Sequence, residues 1–317
     1  MSDDVKKLRK VLAQIAALAA DVPEDDPGGG DDDAPAGRLT CTPKVLPRKL
    51  HLKAAKQAVE INPFNQPEVA LLNVAAPDLE ISPLSIALLT SKYWGRSPRT
   101  LTVSFMDAPP ADLRRRILSH LNAWARTGCI KFAETRGVGQ VRISRGAGGF
   151  YSYLGTDILL IPQNRQTMNL QGFTMNTPDS EFYRVIRHEA GHTLGFPHEH
   201  MRRALVARVD PEKAYRYFGA PPNNWSRSMV DQQVLTPLDE RSLMATPADQ
   251  TSIMCYQLPG SITRDGRPIL GGTDINRTDA DFVAQVYPKP PAAVAAGADD
   301  ADFDDADLDD ADFDDAD

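Results

Sequence analysis

RHEAGHTLGFPHEH, residues 187–200, is the stretch that decides how this chain of 317 residues is interpreted. His188 and His192 are four residues apart, so on a helix their imidazoles extend from one face about one turn from each other. Two neutral imidazole nitrogens at that separation suit a tetrahedral zinc ion. Glu189 follows the first histidine and would point toward the same cavity. The stretch therefore predicts a helix that carries a metal site.

The end of this helix is predicted at Gly195, because glycine tolerates the left-handed conformation that a sharp helix exit requires. The turn would bring His198 back toward the metal as a third ligand. Upstream, Thr177 can cap a helix that begins at Pro178. Structural zinc sites usually have four protein ligands, whereas three ligands leave a position open for catalysis. A purely structural metal site and histidines on an ordinary surface helix are the two alternatives.

The continuation of the motif resembles the astacin branch of the metzincin proteases. From His188 the chain reads HExxHxxGFxHExxR, and every fixed position through Arg202 matches that branch. Residues 252–256 read SIMCY, which is similar to the SIMHY methionine turn of astacins, with Cys255 where a histidine is usual. The closing segment 275–288 is similar to the final helix of such domains.

The resemblance has consequences for fold and activity. It implies an α+β fold, a metzincin-type catalytic domain of two lobes. A twisted mixed β-sheet and two long helices would lie above the cleft, and an irregular lobe below it. It also implies a zinc-dependent endopeptidase that hydrolyses peptide bonds through a metal-activated water, with Glu189 as general base. Met254 would form an apolar floor under one catalytic Zn²⁺, and Tyr256 would donate to the oxyanion. The zinc ligands would be His188, His192 and His198.

Some of these residues also have simpler interpretations. Tyr256 could be an ordinary core residue. In the family, the glutamate matching Glu199 often pairs with a new N-terminus released by cleavage. The simpler interpretation is a local ion pair between Glu199 and Arg202 that supports His198. His200 follows the third ligand by two residues and is expected to support the site or to lie at the surface.

Two rival functions follow from the same motif. One is a thermolysin-like protease, whose third ligand is a distant glutamate, and the spacing of Gly195 and His198 argues against it. The other is a non-catalytic zinc-containing protein that acts in binding or as a scaffold.

The three cysteines, Cys41, Cys129 and Cys255, are too few for the disulfide pairs of secreted astacins. Cys41 lies in a basic, proline-containing segment upstream of the motif. Its thiolate could occupy the open zinc position and keep a zymogen latent, as in some metzincin pro-segments. Nearby lysines would favour the thiolate. The alternative is an ordinary cysteine.

Composition divides the chain into four parts. Residues 1–40 are expected to form an amphipathic helix and an acidic disordered linker, and residues 41–95 an N-terminal subdomain or pro-segment. The zinc metalloprotease catalytic domain is expected to span residues 96–290. Residues 291–317 form an acidic Asp-rich repeat tail that is expected to be disordered.

Periodicity predicts the first elements of the catalytic domain. Apolar and polar residues alternate over 101–105, as in a strand, and apolar residues recur at helical spacing over 113–124. Short strands are expected at Ile130–Phe132 and Val141–Ile143, followed by a glycine-rich bend and the apolar run Ile158–Ile161. The order of strand, helix and several strands favours an α+β sheet.

The distribution of charged residues along the chain indicates which partners and cofactors to expect. The net charge of −8 comes from the two ends, since residues 299–317 contain 12 Asp and no basic residue. The carboxylates of this tail could bind Ca²⁺ weakly. Residues 37–298 carry 31 basic and 22 acidic side chains, but the basic residues are dispersed and no nucleic-acid-binding motif accompanies them. Protein or peptide substrates are therefore the expected partners, and nucleic acid is not.

The location of the protein is predicted from what the sequence contains. No stretch approaches the roughly 20 apolar residues that a membrane-spanning helix needs. The N-terminal residues make no convincing signal peptide, because two acids lie in the positive region and a glutamine interrupts the apolar run. A cytoplasmic or non-classically exported protein is expected, with secretion as the alternative.

Overall fold

The computed structural model describes residue 41 and residues 44–67, 90–221, 223–237 and 248–291. The predictions for residues 1–40, and those for the Asp-rich tail beyond its first residue, lie outside the described residues. Within the described ranges, no helix is both long and apolar enough to cross a lipid bilayer.

A mixed five-stranded sheet forms the upper lobe. Its strands are β1 Arg99–Phe105, β2 Ile130–Glu134, β3 Val141–Ser144, β4 Phe150–Ser152 and β5 Met168–Leu170, in the spatial order β2-β1-β3-β5-β4. Four strands run parallel, and the edge strand β4 runs antiparallel to β5. Leu101 and Val103 of β1 are fully buried, as the period-two pattern predicts.

Some helices pack against the sheet, and others build the lower lobe. The α-helices are α1 Arg48–Ile61, α2 Ala111–Leu121, α3 Arg187–Thr193, α4 Arg203–Val206, α5 Pro211–Gly219, α6 Arg227–Val230 and α7 Arg277–Val286. The 3₁₀ helices are Pro63–Asn65, Asn122–Arg126, Gly155–Leu160, Glu199–Met201 and Gly260–Ile262, and a π-helical turn covers Asp231–Leu235. Helix α2 buries Leu113, Ile117 and Leu121, so the stripe predicted from helical spacing is its core-facing side.

The helix that carries the motif has an irregular beginning. A single α-helical turn, Asp179–Glu181, and a π-helical segment, Phe182–Ile186, lead directly into α3. The predicted cap at Thr177 is wrong. Pro178 occupies the N-cap position without a side-chain bond, and the Thr177 hydroxyl instead accepts a hydrogen bond from Thr174 N at 3.0 Å. The hydroxyl is therefore used inside the preceding turn.

Two strands were not predicted, and one apolar run is not a strand. Strands β4 and β5 have three residues each, which is too short for a period-two pattern to be recognised. The run Ile158–Ile161 begins inside the 3₁₀ helix Gly155–Leu160. It buries Ile158 by helical rather than strand geometry.

Two hydrophobic cores lie on opposite sides of a cleft. The larger core joins the sheet to α2 and to the helix of the motif, through side chains such as Leu101, Ile117 and Phe182. The smaller core lies wholly after Gly195 and includes Leu205, Phe218, Val230, Leu258 and Ile262. The upper lobe therefore combines the chain before the glycine with Met254 and α7, and the more irregular lower lobe is built only from residues after the glycine.

The described part of residues 41–95 has no core of its own. Leu46, Ala54, Tyr93 and Trp94 all belong to the larger core. The Asn65 side chain donates to Tyr93 O at 2.8 Å and accepts from Tyr93 N at 3.0 Å. Helix α1 and the 3₁₀ turn after it are thereby attached to the upper lobe.

Candidate metal centre

Helix α3 is buried along its whole length and is fixed by two tryptophans. Trp124 Nε1 donates to Arg187 O at 2.7 Å, and Trp94 Nε1 donates to Thr193 O at 2.8 Å. The two bonds act on the first and last residues of the helix. They fix the element on which His188, Glu189 and His192 are carried.

The helix ends in a turn that requires glycine. Gly195 has a φ of +96°, and a Cβ at this position would lie 3.0 Å from Lys92 O. Phe196 N donates to Gly191 O at 2.9 Å and closes the turn. The chain then reverses and brings His198 to the two helical histidines.

Three imidazoles converge at one point. The Nε2 atom of His198 lies 3.1 Å from that of His188 and 3.1 Å from that of His192. His188 Nδ1 donates to Ile253 O at 2.6 Å, and His192 Nδ1 donates to Phe196 O at 2.8 Å. Because these Nδ1 atoms carry the proton, the Nε2 atoms of both residues present lone pairs. A cation between the three Nε2 atoms would satisfy these lone pairs.

The donor atoms fit a tetrahedral metal ion. Zinc bound at about 2.0–2.1 Å in tetrahedral geometry separates two imidazole nitrogens by about 3.3–3.4 Å, close to the spacing seen here. Cys41 Sγ lies 3.4 Å from His192 Nε2, where a fourth ligand would lie. The four donor atoms lie within 4.8 Å of one another, and they form a group in the described part of the chain that could hold a metal ion. Thiolate and imidazole donors are those that zinc prefers.

Burial keeps the imidazoles neutral, which is the form that binds a metal. It lowers the pKa of His188 to about 4. It also lowers the pKa of His192 and of His198, and the neighbouring imidazoles lower both further. The three side chains are therefore unprotonated at neutral pH.

Glu189 lies in the same site with its carboxyl group fully buried. Among the described residues, neither carboxyl oxygen accepts a hydrogen bond from a nitrogen or oxygen atom, and the Cys41 thiol is the polar group beside it. Burial raises the pKa of Glu189 to about 8, against the smaller opposing effects of a hydrogen bond from the Cys41 thiol and of the charge of Arg184. Buried carboxyl oxygens are normally hydrogen-bonded, so this one is suited to exchange a proton with a small ligand.

Cys41 reaches the histidines because its segment runs along the edge of the sheet. Cys41 and Lys44 form parallel bridges with Phe150 and Tyr153, at and just beyond the edge strand β4. Burial raises the pKa of the Cys41 thiol, and the Glu189 carboxyl raises it further. The expectation that nearby lysines favour the thiolate gains no support, because the charge that lowers this pKa is that of Arg184 and burial outweighs it. A bound metal ion deprotonates a coordinating thiol outright.

Met254 packs under α3 at a place where the helix has no side chain. A Cβ at Gly191 would lie 2.4 Å from Met254 Sδ and 3.2 Å from the Trp124 ring. Glu199 N donates to Met254 O at 2.8 Å, which ties the segment after His198 to the same turn. Sequence analysis missed Gly191. Its signal is a glycine inside a helix, where alanine would be more stable in the absence of a packing requirement.

Tyr256 and His200 lie beside the third histidine. The Tyr256 ring lies 5.6 Å from the His198 ring and lines the cleft. His200 is buried, and its ring lies 4.9 Å from His198 and 5.3 Å from Tyr256. His200 Nε2 donates to Gln233 O at 2.8 Å, which attaches this part of the site to the lower lobe. The sequence allowed His200 either to support the metal site or to lie at the surface, and the structure shows it buried beside the site.

Glu199 and Arg202 form the local ion pair that the sequence allows, at 3.6 Å. Glu199 Oε1 also accepts a hydrogen bond from Asp249 N at 3.0 Å. A small cavity of about 40 Å³ adjoins this pair and is lined further by Asp279. Burial raises the pKa of Glu199 to about 7. Pairing of Glu199 with a new N-terminus stays a prediction.

A cleft of about 700 Å³ reaches His188, Glu189 and Cys41 of the metal site. Its upper wall includes Phe150 and Arg184, and its lower wall includes Tyr217, Pro259 and Leu270. Side chains of both lobes therefore face the same opening. None of the three cysteines, all of them described, is in a disulfide.

Known proteins that are similar to this chain are zinc proteases, which agrees with the metal-binding geometry of the three histidines. The family model for the astacin peptidases matches residues 90–266, which is more than half of the chain. The solved structure of myroilysin is 32% identical in sequence, with a TM-score of 0.59, and the match covers 63% of this chain and 97% of that one.

Two curated relatives come from Caenorhabditis elegans. The zinc metalloproteinase nas-38 is 28% identical over 144 residues, which is 44% of this chain and 17% of that protein. The zinc metalloproteinase nas-27 is 35% identical over 94 residues, which is 29% of this chain and 20% of that protein. The chain thus matches a fifth or less of the length of these relatives.

The comparisons confirm the resemblance read from the sequence. The α+β metzincin-type fold is confirmed by the likeness to myroilysin together with the mixed sheet. The expected enzyme class, a hydrolase of the zinc metalloprotease type, is confirmed at the level of the family. The prediction that the Asp-rich tail binds Ca²⁺ gains no support. The carboxylates of that tail all lie beyond residue 291, which is the last described residue. This chain belongs to the astacin family of peptidases.

Proposed function

We propose that this protein is a zinc-dependent endopeptidase that hydrolyses peptide bonds within proteins or peptides. The observation that carries the proposal is the convergence of His188, His192 and His198 beside the buried Glu189 carboxyl, at the end of an open cleft. Three histidines without a fourth permanent ligand are the donor set of catalytic rather than structural zinc. Membership of the astacin family supports the same activity.

Glu189 is the general base of the proposed reaction. Zinc held by the three imidazoles would supply Lewis-acid polarisation of the scissile carbonyl and would make water acidic near neutral pH. Glu189 takes the proton of the attacking water and delivers it to the leaving amine as the C–N bond breaks. Its burial and its lack of an ordinary hydrogen-bond partner among the described residues support this role.

Tyr256 is proposed to stabilise the oxyanion. Its ring lines the cleft next to His198, so the phenol can donate a hydrogen bond to an oxygen that becomes negative in the tetrahedral intermediate. Met254 supports the site from below through its contact with the backbone of α3 at Gly191.

Cys41 is proposed to keep the full-length protein latent. Its Sγ lies in the position of a fourth ligand, 3.4 Å from His192 Nε2, and a thiolate there would exclude both water and substrate. The pairing of Cys41 and Lys44 along the edge of the sheet, at Phe150 and Tyr153, supports this proposal, since it places the segment in the cleft.

The test of the proposed function is digestion of casein by zinc-loaded protein in which Cys41→Ala has removed the proposed fourth ligand. We expect proteolysis that a chelator abolishes and that added zinc restores. The matched control, Cys41→Ala with Glu189→Gln, should bind zinc equally well and lose nearly all activity. Zinc binding with no proteolysis in the Cys41→Ala protein would favour the non-catalytic alternative. Full activity in the double variant would remove Glu189 from the mechanism.

A further inference from the structure

A continuous series of hydrogen bonds runs from the first histidine of the metal site to a carboxylate on helix α7. His188 Nδ1 donates to Ile253 O at 2.6 Å. The N–H of the same peptide group, Met254 N, donates to Ser252 Oγ at 3.0 Å. The Ser252 hydroxyl in turn donates to Asp279 Oδ1 at 2.5 Å. Every residue of this series is buried.

All the donors in the series point the same way. Aligned hydrogen bonds polarise one another, and a carboxylate at the accepting end strengthens the donor at the other end. A carboxylate that accepts the Nδ1 proton of a metal-binding histidine fixes its tautomer and raises its basicity as a ligand. Here a peptide group and a hydroxyl transmit the same effect from Asp279 to His188.

Asp279 is held rigidly enough for this role. Its Oδ2 atom accepts hydrogen bonds from Ile253 N at 2.9 Å and from Asn276 N at 3.1 Å. Asn276 Oδ1 accepts from Asp279 N at 2.9 Å, so the two residues form a capping box at the start of α7. The helix end therefore fixes both the carboxylate and the turn that carries the acceptor for His188.

The second helical histidine offers an internal comparison. His192 Nδ1 donates to Phe196 O at 2.8 Å. The next residue is Pro197, so that peptide group has no N–H with which to continue a series. The two histidines share burial and a carbonyl partner, but the series to a carboxylate begins at His188.

We propose that Asp279 and Ser252 are positioning residues that strengthen His188 as a metal ligand through the peptide group between residues 253 and 254. This inference rests on the proposed zinc site. Neither residue touches the substrate or the reacting atoms in this account.

The first measurement is the NMR chemical shift of the two Nδ1 protons. Ser252→Ala interrupts the series and leaves in place the hydrogen bonds that Asp279 Oδ2 accepts from Ile253 N and Asn276 N. We expect the His188 Nδ1 proton to move upfield in Ser252→Ala and in Asp279→Asn. The His192 proton should stay where it is in the wild type. Ser252→Thr, which keeps a hydroxyl, should restore the His188 signal.

The second measurement is zinc affinity by competition with a chromogenic chelator. Loss of an outer hydrogen-bond partner of a metal ligand weakens metal binding by about 10- to 100-fold, and we expect about 10-fold for either single variant. The double variant, Ser252→Ala with Asp279→Asn, should bind zinc as tightly as whichever single variant binds it less tightly. Both changes interrupt the same series of hydrogen bonds, so their effects should not add. Asp281→Asn removes an exposed carboxylate of the same helix and should leave the affinity unchanged.

Three results would overturn the inference. One is an unmoved His188 proton in Ser252→Ala, and another is an equal movement of both histidine protons, which would indicate general loosening. The third is a zinc affinity in Ser252→Ala equal to that of Asp281→Asn. The proton shifts can be recorded in metal-free protein as well, so failure of the zinc site and failure of the series give different results.

Discussion

Tyr256 is the site residue whose chemical role depends on a single atom, the phenol oxygen. We expect Tyr256→Phe to lower kcat by about 100-fold, because loss of one oxyanion donor costs about 10²–10³-fold in other hydrolases. Zinc content and KM should change little, since the ring still packs beside His198 and His200. Steady-state kinetics on a peptide substrate, in the Cys41→Ala background, measure this effect. An unchanged kcat would reduce Tyr256 to a packing residue.

The ligand histidines could be predicted from sequence because their relationship is local. His188 and His192 lie four residues apart on one helix, and a glycine turn returns His198. By contrast, the contact of Gly191 with Met254 joins segments far apart in the sequence. No periodic pattern contains such a contact, so only the fold shows why that helix position lacks a side chain.

At the scale of elements, the packing of α2 against the start of the motif helix predicts a dependence of stability on pH. His120 on α2 lies 5.4 Å from the Phe182 ring, and its Nδ1 accepts from Arg187 Nε at 3.4 Å. Burial, together with the charges of Arg187 and Arg116, lowers the pKa of His120 to about 4, and the charges of Asp274 and Asp179 partly oppose this shift.

The folded state therefore resists protonation of His120 while the unfolded chain takes up a proton near pH 6.5. The free energy of unfolding should fall as the pH drops from about 6.5 toward 4. His120→Gln should remove part of that fall, by less than about 2 kcal/mol because the half-exposed ring is screened by solvent. Thermal melts of metal-free protein at pH 7 and pH 5 measure it. Equal pH dependence in the variant and the wild type would contradict the prediction.

Elements with a long periodic pattern were predictable and short or irregular ones were not. Strand β1 and helix α2 have enough residues for periods of two and 3.6 to be visible. Strands β4 and β5 have three residues each and are defined by pairing with each other. The π-helical segment Phe182–Ile186 has the composition of an ordinary helix, and only its packing distinguishes it.

At the scale of the whole molecule, the segment around Cys41 is proposed to control access to the site. We expect Cys41→Ala to raise the activity of freshly purified full-length protein by at least about 10-fold, because zinc binds thiolate strongly and the open position would be freed. Cys129→Ala is a matched control, since Cys129 is also a buried free thiol but lies away from the metal donors. Equal activity of wild type and Cys41→Ala would show that Cys41 does not keep the protein latent.

Zinc binding tests the central claim of this account most directly. Protein stripped by a chelator, reloaded and dialysed should retain about one zinc ion per chain by metal analysis, since the three imidazoles form a single site. His198→Ala should weaken zinc binding by at least about 100-fold while the fold, followed by circular dichroism, is maintained. A folded wild-type protein that takes up no zinc would contradict the account.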